Sequence, residues 1–169
     1  RNWGAGYFDV SDAGEVVICP QGPKGPQVSI PEIISGLRDR GHDMPVLLRV
    51  ENILDSRIAN IHESVRKAIK NLTYTGAYRG VFPIKVNQQQ QVVEKIAQFG
   101  AQYHHGLEVG SKAELIAAVS LMLDREACII CNGYKDEEFM DLGLQALRLG
   151  FNVFFVLEMP SELGVLLER

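Results

Sequence analysis

Apolar residues along this chain follow two rhythms, and from position 44 onward the rhythms alternate. Short runs rich in β-branched and aromatic residues occupy 46–50, the stretch ending at Lys85, 103–109, 128–131 and 152–157. Each is followed by apolar residues at helical spacing. Leu54, Ile58, Ile61, Val65, Ala68 or Ile69, and Leu72 form one stripe, with Arg57, Arg66, Lys67 and Lys70 left for the wet faces. Val92, Val93, Ile96 and Phe99 mark a second helix that stops at Gly100, and 111–123 reads as a third. A helix over 136–149 ends at Gly150, and Pro160-Ser161 starts a last one.

About five βα units in succession require a parallel sheet with helical crossovers. No glycine-rich dinucleotide fingerprint follows any of the strand runs, so a closed barrel is favoured over a doubly wound sheet. The predicted class is therefore α/β, a partial (β/α)8 TIM-type barrel spanning 31–169. Pro83 is awkward inside a central strand and is read as a bulge or strand end that aims Lys85.

The first thirty residues differ. Runs at 7–10 and 15–19 are strand-like and are joined by Ser11-Asp12-Ala13-Gly14, a turn composition. A loop with three prolines and two glycines covers 20–26. Ser29-Ile30-Pro31-Glu32 has capping-box spacing, and Gly41 closes the short helix that it opens. Residues 1–30 thus read as a small N-terminal β segment ahead of the barrel.

Composition narrows the function classes. A net charge of −4 (17 basic, 21 acidic) gives no electrostatic case for nucleic acid or an anionic membrane. No apolar run is long enough to span a bilayer, and no signal-peptide pattern opens the chain. An odd count of three cysteines does not suggest a disulfide framework, so a cytoplasmic location is expected. The chain begins with Arg1 and stops at Arg169 inside a helical pattern, as a piece of a longer protein would.

Three stretches carry candidate chemistry. In Phe82-Pro83-Ile84-Lys85-Val86-Asn87-Gln88, the lysine stands at the C-terminal end of a strand, where reactive groups of parallel β/α folds gather. Apolar neighbours and exclusion of water would lower its pKa, as an imine-forming amine requires. A strand-end lysine can equally rest its stem on apolar surface with its head in water. In Gly106-Leu107-Glu108-Val109-Gly110-Ser111-Lys112-Ala113-Glu114-Leu115, Ser111 and Glu114 form a capping box. Glu108 is outside that box and lies at the end of the next strand. It is a neighbour for Lys85, either as a proton-handling group or as a plain ion pair.

The third stretch is Cys128-Ile129-Ile130-Cys131-Asn132-Gly133-Tyr134-Lys135-Asp136. Its C-x-x-C lacks the second pair of a zinc site, so both thiols are read as core or strand-end residues. Asp136 or Asn132 can cap the following helix. Asn132 and Tyr134 lie on the presumed catalytic rim without an assigned task. His104 and His105, adjacent in the strand expected at 103–109, should face opposite ways and cannot both line one site.

Together, Phe82 to Gln88, Gly106 to Leu115 and Cys131 to Asp136 closely resemble the biosynthetic arginine decarboxylases. These are pyridoxal-phosphate enzymes of the alanine-racemase-like barrel group. The opening segment from Trp3-Gly4 to Val10 is also similar, so the resemblance covers nearly the whole chain but only a leading portion of the family's sequence. It implies that Lys85 carries pyridoxal phosphate and that Glu108 matches an acidic residue close to the cofactor. It further implies L-arginine as substrate, agmatine as product, a role in polyamine biosynthesis, magnesium, and a dimer-based homo-oligomer. The family's phosphate loop, pyridinium partner and C-terminal β domain are expected beyond Arg169, which would leave these residues inactive alone. A sibling decarboxylase acting on ornithine, lysine or diaminopimelate shares the lysine logic. A non-catalytic cofactor-binding or interaction fragment is the reading from another class.

Overall fold

The computed structural model describes residues 3–169. The chain forms two compact units, 1–56 and 57–169.

In the first unit, β1 (Phe8–Val10), β2 (Val16–Ile18) and β3 (Val28–Ser29) form an antiparallel sheet in that order. The expected turn between the first two strands is present. Gly14 adopts a φ of 81°, and its amide donates to the Ser11 carbonyl. Val17, Ile18 and Cys19 are buried. The third strand was not anticipated, because its two residues merge into the capping sequence. Ser29 caps α1 (Ile30–Asp39) by accepting from the Glu32 amide, and its hydroxyl donates to Glu15. Gly41, with a φ of 80°, follows the helix and donates back to the Arg38 carbonyl.

The segment 46–50 departs from expectation. It forms no strand, and most of its residues are exposed. A buried strand needs ladder partners on its flanks, and none pairs with this stretch among the described residues. Four of the expected strands remain, all in the second unit.

Those four are β4 (Val81–Pro83), β5 (Gly106–Val109), β6 (Cys128–Cys131) and β7 (Asn152–Phe155), all parallel and hydrogen-bonded in chain order. The long helix α2 (Glu51–Asn71) precedes them, and α3 (Gln90–Gly100), α4 (Lys112–Leu121) and α5 (Glu137–Arg148) supply the crossovers. The last strand leads into α6 (Pro160–Leu167). Val93 and Ile96 of α3, Leu107 and Val109 of β5, Leu115 and Ala118 of α4, Ile129 of β6 and Met140 of α5 are all at most 2% exposed. Each large side chain among them contributes about 1.5–3 kcal/mol by leaving water. Gly106 is required by close approach, since a Cβ there would lie 1.9 Å from the Cys128 carbonyl oxygen.

Two further expectations need correction. The stripe on α2 is shifted: Ile61 and Leu72 are exposed, and the buried residues are Ile58 and His62. The strand expected at 103–109 starts only at Gly106, because 101–103 forms a 3₁₀ turn closed by His104 in the left-handed region (φ 54°). The two histidines are therefore separated by a turn and not by strand alternation. His104 Nδ1 bonds Asp124 at 2.8 Å, while His105 Nδ1 meets His62 Nε2 at 2.9 Å.

Burial of His62 and His105 is expected to make the second unit acid-sensitive. His62 also stacks on Tyr103 (4.9 Å between centroids), and Arg66 lies over that ring. Burial, and then the neighbouring His62, pushes His105 down from 6.5 to about 4. Burial, then Arg66 and Arg79, also lowers His62. A histidine held below its unfolded value leaves stability intact above pH 6.5 and removes it as pH falls toward 4. His105 is only partly buried, so solvent screening reduces the loss expected across that window. His105→Gln, which keeps a polar partner for His62 without titrating, should flatten the urea-unfolding midpoint plotted against pH. An unchanged pH dependence in this variant would contradict the assignment.

Candidate active site

The site is built at the C-terminal ends of the parallel strands. Pro83 lacks the amide a ladder needs, so β4 ends there and the chain turns into a 3₁₀ turn, Ile84–Val86, closed by the Asn87 amide donating to the Ile84 carbonyl at 3.1 Å. Pro83 is thus a strand end. The turn buries Ile84 and sends Lys85 outward.

Lys85 Nζ lies 3.3 Å from Glu108 Oε1, on the strand whose Glu108 is in register with Pro83. The parallel pairing explains the meeting, because adjacent strands present equivalent ends to the same rim. The expected exclusion of water is not observed: the Lys85 side chain is 65% exposed, whereas that of Glu108 is 21% exposed. The apolar neighbours do not cover it, since Ile84 turns into the core and Val86 is itself exposed.

Glu108 has a second partner that sequence reasoning missed. Asn132, just beyond β6, donates from Nδ2 to Glu108 Oε1 at 3.1 Å, and its Oδ1 accepts from the Gly133 amide at 2.9 Å. The helix cap expected of either residue falls to Asp136, which accepts from the Phe139 amide. Ser111 caps α4 as expected by accepting from the Glu114 amide. Glu114 reaches back to the Gly110 amide at 2.7 Å and also accepts from Gln88 at 2.8 Å, tying the Lys85 loop to the start of α4.

Two other lysines share this rim and differ from Lys85. Lys112 pairs with Asp136 at 3.0 Å and with Glu138. Lys135 is fully buried and pairs with Glu162 at 3.1 Å. Burial pushes the Glu162 carboxyl up, but hydrogen bonds from the Lys135 and Glu158 amides and the Lys135 ammonium outweigh it, leaving it below the usual range. No sequence signal links these partners, which lie 27 residues apart, Lys135 in the turn after β6 and Glu162 in α6.

The C-x-x-C thiols are free and buried. Burial raises both, Cys131 to about 12, so neither is ionised near neutral pH. Among the described residues, no group of three or more His, Cys, Asp or Glu side chains is placed to hold a metal ion. Among the same residues, no helix is long and apolar enough to cross a membrane.

Comparison with known proteins places this geometry. Residues 58–167, more than half of the chain, match the family model described as pyridoxal-dependent decarboxylase, pyridoxal binding domain. The chain belongs to this pyridoxal-dependent decarboxylase family. It is 42% identical over 166 residues to the biosynthetic arginine decarboxylase of Parasynechococcus marenigrum (strain WH8102), covering 98% of this chain and 26% of that protein. It is 46% identical over 166 residues to the enzyme of the same name from Rhodopirellula baltica, covering 98% and 25%. Among solved structures, biosynthetic arginine decarboxylase SpeA from Campylobacter jejuni superposes with a TM-score of 0.90 at 36% identity, over 98% of this chain and 27% of that one. The chain therefore spans about a quarter of the length of the curated relatives it matches. The four-stranded sheet and its helices are the partial TIM-type barrel of the pyridoxal-dependent decarboxylases.

The residues present fit that cofactor. Lys85 is an accessible primary amine on the strand-end rim, with a carboxylate within reach. Lys135 offers no such access.

Proposed function

We propose that this chain supplies the lysine-bearing rim of a pyridoxal-phosphate-dependent arginine decarboxylase, which converts L-arginine to agmatine and carbon dioxide in putrescine and spermidine biosynthesis. The observation that carries this reading is the approach of Lys85 Nζ to Glu108 Oε1 at the C-terminal ends of neighbouring parallel strands. Similarity to arginine decarboxylases over nearly the whole chain supports the choice of substrate.

Lys85 is the attachment point for pyridoxal phosphate. When bound, that cofactor supplies an electron sink for the pair released as carbon dioxide leaves. Glu108 forms an ion pair with the Lys85 ammonium at 3.3 Å, close enough to take up its proton in the reaction. Residues 1–30 are assigned to a β domain completed elsewhere in the protein, and the cofactor-binding barrel to the second unit, 57–169, since α1 and the segment to Ser56 fall in the first. The working protein is a cytoplasmic homo-oligomer.

The test is carbon dioxide release by the purified full-length protein, offered arginine, ornithine, lysine and diaminopimelate in parallel. Turnover of arginine with formation of agmatine is expected. Turnover confined to one of the other three amino acids would move the protein to a sibling specificity, and no turnover of any would leave a non-catalytic cofactor-binding role. In the same assay, Glu108→Gln is expected to slow arginine turnover about a hundredfold while leaving the thermal midpoint close to wild type. Wild-type turnover with an unchanged pH profile would make Glu108 a structural ion pair only.

A further inference from the structure

Polar contacts at the rim extend well past Lys85 and Glu108. Asn132 Nδ2 donates to the same Glu108 oxygen that faces Lys85. Its backbone is held as firmly as its side chain. The Asn132 amide donates to the Val109 carbonyl at 2.8 Å, and Asn132 Oδ1 accepts from Gly133, whose φ is 76°. Gly133 is also held by Glu158, which accepts from its amide at 3.2 Å.

Two residues on, the turn is anchored in the protein interior. The Lys135 side chain is fully buried and donates from Nζ to the Gly133 carbonyl. Glu162, whose side chain is 7% exposed, accepts from the Lys135 amide at 2.9 Å and from the Glu158 amide at 3.0 Å, and pairs with Lys135 Nζ. One carboxylate on α6 thus pins both the β6–α5 turn and the β7–α6 turn. A buried ion pair is a weak way to gain stability, because desolvation offsets much of the attraction. Its geometric effect is to leave the turn carrying Asn132 little freedom.

We propose that Asn132 is a positioning residue: its turn, pinned by the buried Lys135–Glu162 pair, holds the Asn132 amide where it fixes Glu108 Oε1 against Lys85 Nζ. This rests on the proposed role of Lys85 and assigns the Cys131 to Asp136 stretch a task. With the amide in place, the Glu108 carboxylate cannot swing away from the amine. Without it, Glu108 is free to rotate, and Lys85 loses a fixed partner for its proton. A lysine amine released from a fixed ion pair is more available to an electrophile.

The experiment is competitive labelling of lysines in the full-length protein stripped of pyridoxal phosphate, using acetic anhydride at trace level with peptide mapping. Lys67 and Lys70 serve as internal references. Asn132→Ala is expected to raise the labelling rate at Lys85 about two- to fivefold, the range set by loosening one exposed ion pair. In a Glu108→Gln background the same substitution should add nothing, because the two residues act as one unit. Should Asn132→Ala lower the thermal midpoint, Asn132→Ser keeps an acceptor near Gly133 but is too short to reach Glu108, and should give the same labelling. In the loaded enzyme, kcat should fall about tenfold with KM for arginine within about twofold of wild type. Unchanged labelling at Lys85, or an equal rise with Glu108 already replaced, would overturn the proposal. Labelling is read without cofactor or substrate, so the absence of arginine turnover in the wild type would refute the decarboxylase reading and leave this result standing.

Discussion

Replacing Lys85 with alanine in the full-length protein is expected to abolish retention of pyridoxal phosphate through gel filtration and to lower arginine turnover by roughly a thousandfold or more. The side chain is 65% exposed and sits on a short 3₁₀ turn, so its removal leaves no cavity and should not move the thermal midpoint. Lys85→Arg keeps the charge facing Glu108 but presents no amine able to bond an aldehyde, and should be as inactive as alanine. Lys112→Ala is the control. Lys112 is occupied by Asp136 and Glu138 and should matter little to either property. A Lys85→Ala protein that keeps cofactor and activity would place the chemistry on another residue.

The second large effect is on stability. Glu162→Ala leaves the Lys135 ammonium buried without its carboxylate and leaves the Lys135 and Glu158 amides without their acceptor. Breaking one side of a buried pair costs about 3 kcal/mol, or roughly 6–12 °C in the unfolding midpoint for a chain of this size. The loss should be local to the turns after β6 and β7. Hydrogen exchange should show the amides of Gly133, Lys135 and Glu158 losing protection, with β5 unchanged. Replacing both partners by apolar residues of similar length, Lys135→Met with Glu162→Leu, should recover the part of the midpoint lost to the stranded charge but not the part lost to the two amides left without an acceptor. A Glu162→Ala protein as stable as wild type would show that the pair contributes nothing.

The alternation of strand and helix was legible because a buried parallel strand and an amphipathic crossover leave opposite marks on the sequence. The run at 128–131 forms a strand over those residues, the run expected at 152–157 forms one that ends at Phe155, and the caps at Ser29, Ser111 and Asp136 are in place. Periodicity could not reveal whether a run finds a partner. The segment 46–50 has the composition of a buried strand, yet it has no ladder among the described residues. The stripe on α2 was displaced for a related reason. His62 is polar by type and was not counted as core, but stacked on Tyr103 and bonded to His105 it takes the inward position from Ile61.

The site was legible in part. Strand order places Lys85 and Glu108 on one rim, and the structure brings them within 3.3 Å. The contacts around them were not legible. Asn132 to Glu108 spans 24 residues and Lys135 to Glu162 spans 27, and each joins the turn after β6 to a different βα unit, at β5 and at α6. Nothing in either local sequence marks a buried lysine as paired and not exposed. The water around Lys85 was equally hidden, because its apolar neighbours Ile84 and Val86 point elsewhere.

The most direct test of the central claim is covalent. The full-length protein is loaded with pyridoxal phosphate, reduced with borohydride and mapped by peptide mass spectrometry. The pyridoxyl group is expected on Lys85, in the peptide containing Phe82-Pro83-Ile84-Lys85-Val86-Asn87. A pyridoxyl group on Lys112 or Lys135, with Lys85 unmodified, would contradict it.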